Sequence, residues 1–385
     1  MSFVYCDRMA VDIARTGVAV PFLDLAPSHA PLKERLLEEI GELFDTGAFT
    51  NGPQVGSFEG AFADYCGVAE CVGVASGLDA LRLALLAGGL EPGDEVIVPA
   101  ATFVATLEAV TQAGGVPVVA DVSGTDYCLD PAAAAAATGE RTRVLMPVHL
   151  YGQLADMTAL QELSREGNLA LVEDACQAHG AERDGVRAGA GGAAAAFSFY
   201  PGKNLGAAGD AGALATNDAE LASVVRALRE HGQTAKYEHA REGWTARLDS
   251  IQALVLRQKL RHLDAWNQQR RNIAATYSEE LQGVGDLTLP PTASGSKPVW
   301  HLYVIRTAEP EALATVLRER GVGTGRHYPE PVHLTKAYAH LGFRPGQFPV
   351  AEALARECLS LPIFPGMSDA QVRSVVDGVR AFFDG

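Results

Sequence analysis

Lys203 lies in a glycine-flanked loop, Tyr200-Pro201-Gly202-Lys203-Asn204-Leu205-Gly206, straight after an apolar run, Ala194 to Phe199, that reads as a strand. A lysine between a buried strand and a glycine-rich turn loses solvation. Desolvation lowers its pKa and makes it a competent amine nucleophile. A second apolar run, Ala170 to Glu173, ends in Asp174, with Gln177 close behind. An acid opposite the amine can keep a pyridine nitrogen protonated and make that ring an electron sink. Each residue also has a plainer reading. A loop lysine is ordinarily a solvated charge, Asp174 a helix or turn cap, Phe103 core, and Ser198 a partner for a strand-end amide.

The elements that must position these groups follow from periodicity. Leu32 to Leu43 and Val55 to Tyr65 read as helices, separated by the turn-rich stretch Thr46 to Pro53. Strands are predicted at Cys71–Ala75, Glu95–Pro99, Val116–Asp121, Arg143–Val148, Ala170–Glu173 and Ala194–Phe199. Helices are predicted at Leu78–Ala87, Thr106–Ala113 and Met157–Glu166, and the polyalanine Ala132–Ala137 also reads as helix. This alternation predicts an α/β fold with a mostly parallel sheet covered on both faces. Such sheets bind ligands at the carboxyl ends of their strands. After about Tyr237 the character changes: helices at Leu254–Gln268, Arg271–Leu281, Pro310–Arg320 and Asp369–Phe382, with one strand at His301–Thr307, predict a smaller α/β domain. The expected division is an N-terminal extension over 1–19, a large domain over 20–240 and a small one over 241–385.

With 385 residues and a net charge of −16, the chain is long enough for two cores and too acidic to favour nucleic acid. The six cysteines form no CxxC pair and no Cys/His cluster with zinc spacing, so no metal is expected and reduced thiols in a cytoplasmic protein are the reading. The mixed segment Met1 to Ala19 lacks the apolar stretch of a signal peptide, and no run is long enough to cross a membrane.

Several segments resemble the sugar aminotransferases of the DegT/DnrJ/EryC1/StrS family. They are Asn51-Gly52-Pro53, Ala75-Ser76-Gly77-Leu78-Asp79-Ala80-Leu81, Pro147-Val148-His149-Leu150-Tyr151-Gly152-Gln153, Glu173 to Gly180, and Phe197 to Gly206. The resemblance implies the fold type I architecture of the aspartate aminotransferase class, with the large domain binding pyridoxal 5'-phosphate. It implies that Lys203 forms the Schiff base and shuttles a proton, that Asp174 binds the pyridine nitrogen, and that Gln177 contacts a ring substituent. Phe103 would stack on the ring. Ser198 would bind phosphate together with the backbone at Gly77 and Leu78, where a helix starts.

Two positions depart from the family. Leu78 stands where many members carry a phosphate-binding Thr. Gly243-Trp244-Thr245-Ala246-Arg247-Leu248-Asp249 has Thr245 in place of an Asn that reaches the partner subunit's cofactor, so Thr245 or Arg247 is the candidate substitute. His327, Tyr328 and His333 resemble a segment that approaches the sugar nucleotide, and Tyr200 is a further substrate-side candidate. Lys236-Tyr237-Glu238-His239 resembles a segment more frequent in members acting on 3-keto sugars. The activity implied is transfer of an amino group from L-glutamate to a nucleotide-linked keto-deoxyhexose, leaning to a dTDP-linked 3-keto sugar, by a homodimer with a shared site. A 4-keto sugar or an inosose is the alternative acceptor, and a non-enzymatic cofactor or sugar sensor the rival class.

Overall fold

The structure, a computed structural model, describes residues 20–384; the expected extension over 1–19, with Cys6, lies outside the described residues. Short apolar strands set the framework: β1 (Glu70–Val74), β2 (Glu95–Pro99), β3 (Val116–Ala120), β4 (Thr142–Leu145), β5 (Ala170–Asp174), β6 (Ala194–Ser198) and β7 (Gly212–Thr216). They form one sheet in the order β1-β7-β6-β5-β4-β2-β3. β2 through β6 pair in parallel, and β7 runs antiparallel to both β1 and β6. The carboxyl ends of β1, β2, β4, β5 and β6 therefore meet at one edge. Helices on both faces remove the inside–outside alternation, which is why β6 and β7 read as unbroken small apolar runs.

β4 ends at Leu145, earlier than the expected Val148, because Pro147 has no N–H to continue the ladder. Val148 touches Asp174 only as an isolated bridge. The long helix expected from Leu254 breaks at Arg261–His262 into α1 (Ser250–Leu260) and α2 (Leu263–Glu280). The two halves serve different cores. Ala253 and Leu256 pack with Phe58, Phe62 and Phe197 under the sheet, whereas Ile273, Ala274 and Tyr277 pack with Tyr303, Leu313 and Val375. That second core surrounds an antiparallel pair, β8 (Tyr303–Arg306) and β9 (Cys358–Leu361). Val20 bridges to Val322 and joins it as well. Ile97, Leu145 and Leu150 of the first region share a third cluster with Leu302, Val304, Leu354 and Cys358 of the second. Sequence periodicity had not marked β7, β9 or the helices Ala219–Arg229 and Pro349–Glu357.

Beneath β6, Phe197 and Phe199 meet Phe62 edge-on at centroid distances of 4.9 and 5.2 Å. Each fully buried ring contributes roughly 1.5–3 kcal/mol, with about 0.5–1.5 kcal/mol more per well-set aromatic pair. This rigid floor fixes the end of β6, and hence the start of the loop bearing Lys203.

Candidate active site at the carboxyl edge of the sheet

β5 delivers Asp174 to the edge nearly sealed from solvent. Its Oδ2 accepts from the Thr106 hydroxyl at 2.8 Å, and Oδ1 accepts from the Cys176 amide at 3.2 Å. Thr106 in turn contacts the Thr102 hydroxyl at 2.7 Å. The carboxylate thus keeps unfilled acceptor capacity. Glu173, one residue earlier, points to the opposite face.

Lys203 is half-buried on the turn after β6. The turn is closed by Lys203 N–H donating to the Tyr200 carbonyl and Ala207 N–H donating to the Phe199 carbonyl, both at 2.8 Å. Among the described residues, Nζ has no hydrogen bond or ion pair. Burial pushes its ammonium below the ordinary lysine range, offset in part by Cys176 and by the carboxylate of Asp174. The neighbouring histidines sense the same centre. Burial first, and the Lys203 charge second, hold His179 down to about 3 and His327 to about 4, and push His301 well below its usual value. The surroundings therefore favour neutral bases.

The helix after β1 starts at Gly77, capped by Ser76, whose Oγ accepts from the Asp79 amide at 3.0 Å. Only glycine fits at 77: a Cβ there would lie 2.7 Å from both the Cys176 Sγ and the Ser198 Cβ. The helix N-terminus, Ser198 and Cys176 thus form one close cradle. First-turn amides at a helix start are suited to an anion.

A wall closes the other side. Gln177 is buried; its Oε1 accepts from the Tyr151 amide at 2.7 Å, and its Nε2 donates to the Tyr328 hydroxyl at 3.1 Å. Phe103 is 51% exposed, unusual for phenylalanine, and its ring lies 5.5 Å from that of Tyr328. The Tyr151 hydroxyl donates to the His327 carbonyl, and His327 Nδ1 lies 2.8 Å from the Ser360 hydroxyl, so β9 also braces the wall.

Other candidates sit elsewhere. His333 is sealed between Glu352, at 3.3 Å, and the rings of Phe343 and Phe348. Glu352 on one side and the two rings on the other give it the arrangement of a structural histidine. Tyr200 is exposed on the lysine loop. Arg247 bridges to Val74 beside the phosphate-type cradle, but its guanidinium is held by Glu230 at 2.9 Å, and Glu230 also accepts from Asn51. Thr245 contacts His231 Nε2 at 3.1 Å. The stretch Lys236 to His239 lies on a two-stranded hairpin with Tyr237 81% exposed. Thr106 and Tyr151 were not singled out from sequence. Thr106 lies three residues after Phe103 at a helix start, and Tyr151 has a positive φ of 59° beside Gly152 at 93°, a turn that an aromatic followed by glycine hints at.

A desolvated amine, a buried carboxylate, an exposed aromatic face and an anion cradle fit pyridoxal phosphate. Comparisons agree. Residues 31–380 match the DegT/DnrJ/EryC1/StrS aminotransferase family. The chain is 49% identical over 362 residues (94% of this chain, 99% of the relative) to a protein of Saccharopolyspora erythraea named erythromycin biosynthesis sensory transduction protein EryC1. It is 48% identical to a dTDP-3-amino-3,4,6-trideoxy-alpha-D-glucose transaminase of Streptomyces venezuelae, covering 94% and 95% of the two chains. The crystal structure of S. venezuelae DesV in complex with a ketimine intermediate superposes with a TM-score of 0.93 at 47% identity, over 95% of this chain and 99% of that one. The chain belongs to the DegT/DnrJ/EryC1/StrS aminotransferase family and is a pyridoxal-phosphate-dependent enzyme of fold type I.

Proposed function

We propose that Lys203 is the covalent anchor and proton carrier of an aminotransferase that moves nitrogen from L-glutamate to a nucleotide-linked 3-keto-deoxyhexose, in aminosugar biosynthesis. The observation that carries this reading is the desolvated Lys203 amine sharing a strand edge with the buried Asp174. Bound there, pyridoxal phosphate supplies an electron sink next to the carbon that exchanges its proton. Asp174, steadied by Thr106, holds a proton at the ring nitrogen with its free lone pairs. The amides of Gly77 and Leu78 and the Ser198 hydroxyl take the phosphate. Phe103 would offer its exposed ring for stacking, and Gln177, fixed by Tyr151, would contact a ring substituent. Lys203 Nζ, the desolvated amine of the site, would anchor the cofactor and, as a neutral base, would move the proton at the reacting carbon.

The acceptor class rests on the relatives whose names specify 3-amino sugars and on the exposed hairpin at Lys236 to His239. The working form proposed is a cytoplasmic homodimer in which Thr245 or Arg247 faces the partner's cofactor. Among the described residues no helix is long and apolar enough to cross a membrane. The proposed division is a large domain over 20–240 and a small one over 241–385, with α1 of the second packing back under the sheet of the first.

The test is a two-stage assay. Holoprotein is given L-glutamate alone and 2-oxoglutarate is measured; then dTDP-linked 3-keto and 4-keto sugars and an inosose are offered. Release of 2-oxoglutarate with amination of the 3-keto sugar is expected. A protein inert to every amino donor would support a sensor instead. Lys203→Ala should lower turnover by about 10³-fold or more; near-normal turnover would defeat the assignment.

A further inference from the structure

Lys259, on α1, is 3% exposed. Among the described residues, no carboxylate lies within ion-pair distance of it. A buried ammonium without a counter-charge is costly and persists only when other bonds compensate. Its Nζ donates to the Gly206 carbonyl and to Nε2 of His29 at 3.0 Å, with the Trp266 ring 5.9 Å away. Burial lowers the Lys259 ammonium to about 8. Burial and then the Lys259 charge hold His29 below its usual value, against the opposing charge of Asp24. His29 is thus kept neutral, as an acceptor for the lysine.

Gly206 is three residues after Lys203 and closes its loop. A Cβ at 206 would lie 2.2 Å from the Pro201 carbonyl oxygen, so the two ends of the loop are in direct contact. The next amide, Ala207, returns to Phe199, and Ala208 N–H donates to Gln252 Oε1 at 2.8 Å, also from α1. The Gly206 carbonyl takes no part in these bonds, and Lys259 donates to it. The reaction must detach and reattach the Lys203 side chain at every cycle, so the loop backbone has to hold its place while its side chain is free.

We propose that Lys259 is a positioning residue: its ammonium grips the carbonyl at the closing end of the Lys203 loop and holds that loop in register through turnover. The proposal rests on the reading of Lys203 given above. A charge-assisted bond to a carbonyl is about twice as strong as a neutral one, which accounts for a lysine where an amide or hydroxyl would avoid burying charge.

The test compares Lys259→Met, which keeps the volume and removes the donor, with Lys259→Gln, which keeps a neutral donor. Backbone hydrogen exchange is followed over residues 199–209 in cofactor-free protein, and steady-state kinetics in holoprotein. In the Met variant the amides of Lys203, Ala207 and Ala208 should exchange about tenfold faster, with α1 and β6 unchanged. The kcat should fall while KM for the sugar stays constant. The Gln variant should recover part of both. Wild-type exchange in the Met variant, acceleration spread evenly through α1, or a Gln variant no better than Met overturns the proposal. If the Met variant does not fold, the Gln variant decides: exchange about threefold faster in the loop supports the charged grip, and exchange equal to wild type rejects it. Exchange is read without cofactor, so it stands even if Lys203→Ala shows Lys203 to be dispensable.

Discussion

The two faces of the β5 end carry adjacent carboxylates in opposite conditions. On one face Glu173 is fully buried and saturated: His149 Nε2 lies 2.8 Å from Oε2, Gly189 N–H donates to Oε2 at 2.9 Å, and Gly191 and Gly192 N–H donate to Oε1 at 2.8 and 2.7 Å. His149 Nδ1 accepts from the Ala155 amide at 3.2 Å, so the proton sits on Nε2 and donates to Glu173. On the other face Asp174 has one hydroxyl and one local amide, and looks toward a lysine with no partner of its own. A buried charge with every lone pair filled is structural. One left with spare acceptors in a desolvated pocket is ready for a ligand. Both acids end the same apolar run, and only their partners separate the two roles.

The strongest way to break this contrast is to neutralise the open side. Asp174→Asn should keep the fold, because Thr106 can still donate to the amide oxygen and only the 3.2 Å bond from the Cys176 amide is lost. Turnover should drop by roughly 10²–10³-fold, the range for a displaced proton-holding group. Folded protein with normal turnover would show that Asp174 is no more functional than Glu173.

Neutralising the closed side should do the reverse. Glu173→Gln places an NH₂ against backbone donors and should lower stability by about 1–3 kcal/mol, with kcat per folded molecule nearly unchanged. Burial alone would raise the Glu173 carboxyl, but the His149 contact and the amides of Gly189 and Gly192 outweigh it and hold it below the usual glutamate range. The folded state therefore binds this proton less readily than the unfolded chain. The stabilisation is complete above the ordinary glutamate value of about 4.3 and fades as pH falls through the lower folded value. Denaturant titrations should show the wild type converging on the Gln variant below about pH 4; a constant gap would mean that Glu173 titrates alike in both states.

How much of this was legible depends on partners rather than on residue types. The order of strands around Asp174 and Lys203 followed from apolar runs ending in polar loops, and the structure places both at the carboxyl edge. β7, Gly212-Ala-Leu-Ala-Thr216, escaped because its mostly small residues, buried on every side, show no alternation and only Thr216 is β-branched. The break at Arg261–His262 escaped because Leu260 and Leu263 keep helical spacing across it. His327 and His333, six residues apart, looked alike in sequence. Only packing sends one to the Tyr328 wall and the other to Glu352 and Phe348. Thr106 gave no sign because a buried hydroxyl is read only through what it donates to.

Thr106 is where the contrast can be sharpened most finely. Its side chain belongs to neither acid's strand, yet it donates to Asp174 and not to Glu173. Thr106→Val preserves shape and removes the bond to the Asp174 carboxylate, worth about 1.5–3 kcal/mol, together with the contact to the Thr102 hydroxyl. Part of that loss should appear as weaker cofactor retention, because Asp174 would lose the bond that aims it. Cofactor affinity, measured by reconstitution of the apoprotein, should fall about three- to tenfold, less than for Asp174→Asn. Apoprotein stability should fall by only about 1–2 kcal/mol, because Thr106 gives up its bonds to Asp174 and to the Thr102 hydroxyl. A large loss of apoprotein stability with unchanged cofactor affinity would put Asp174 in the structural class with Glu173 and dissolve the distinction between the two faces.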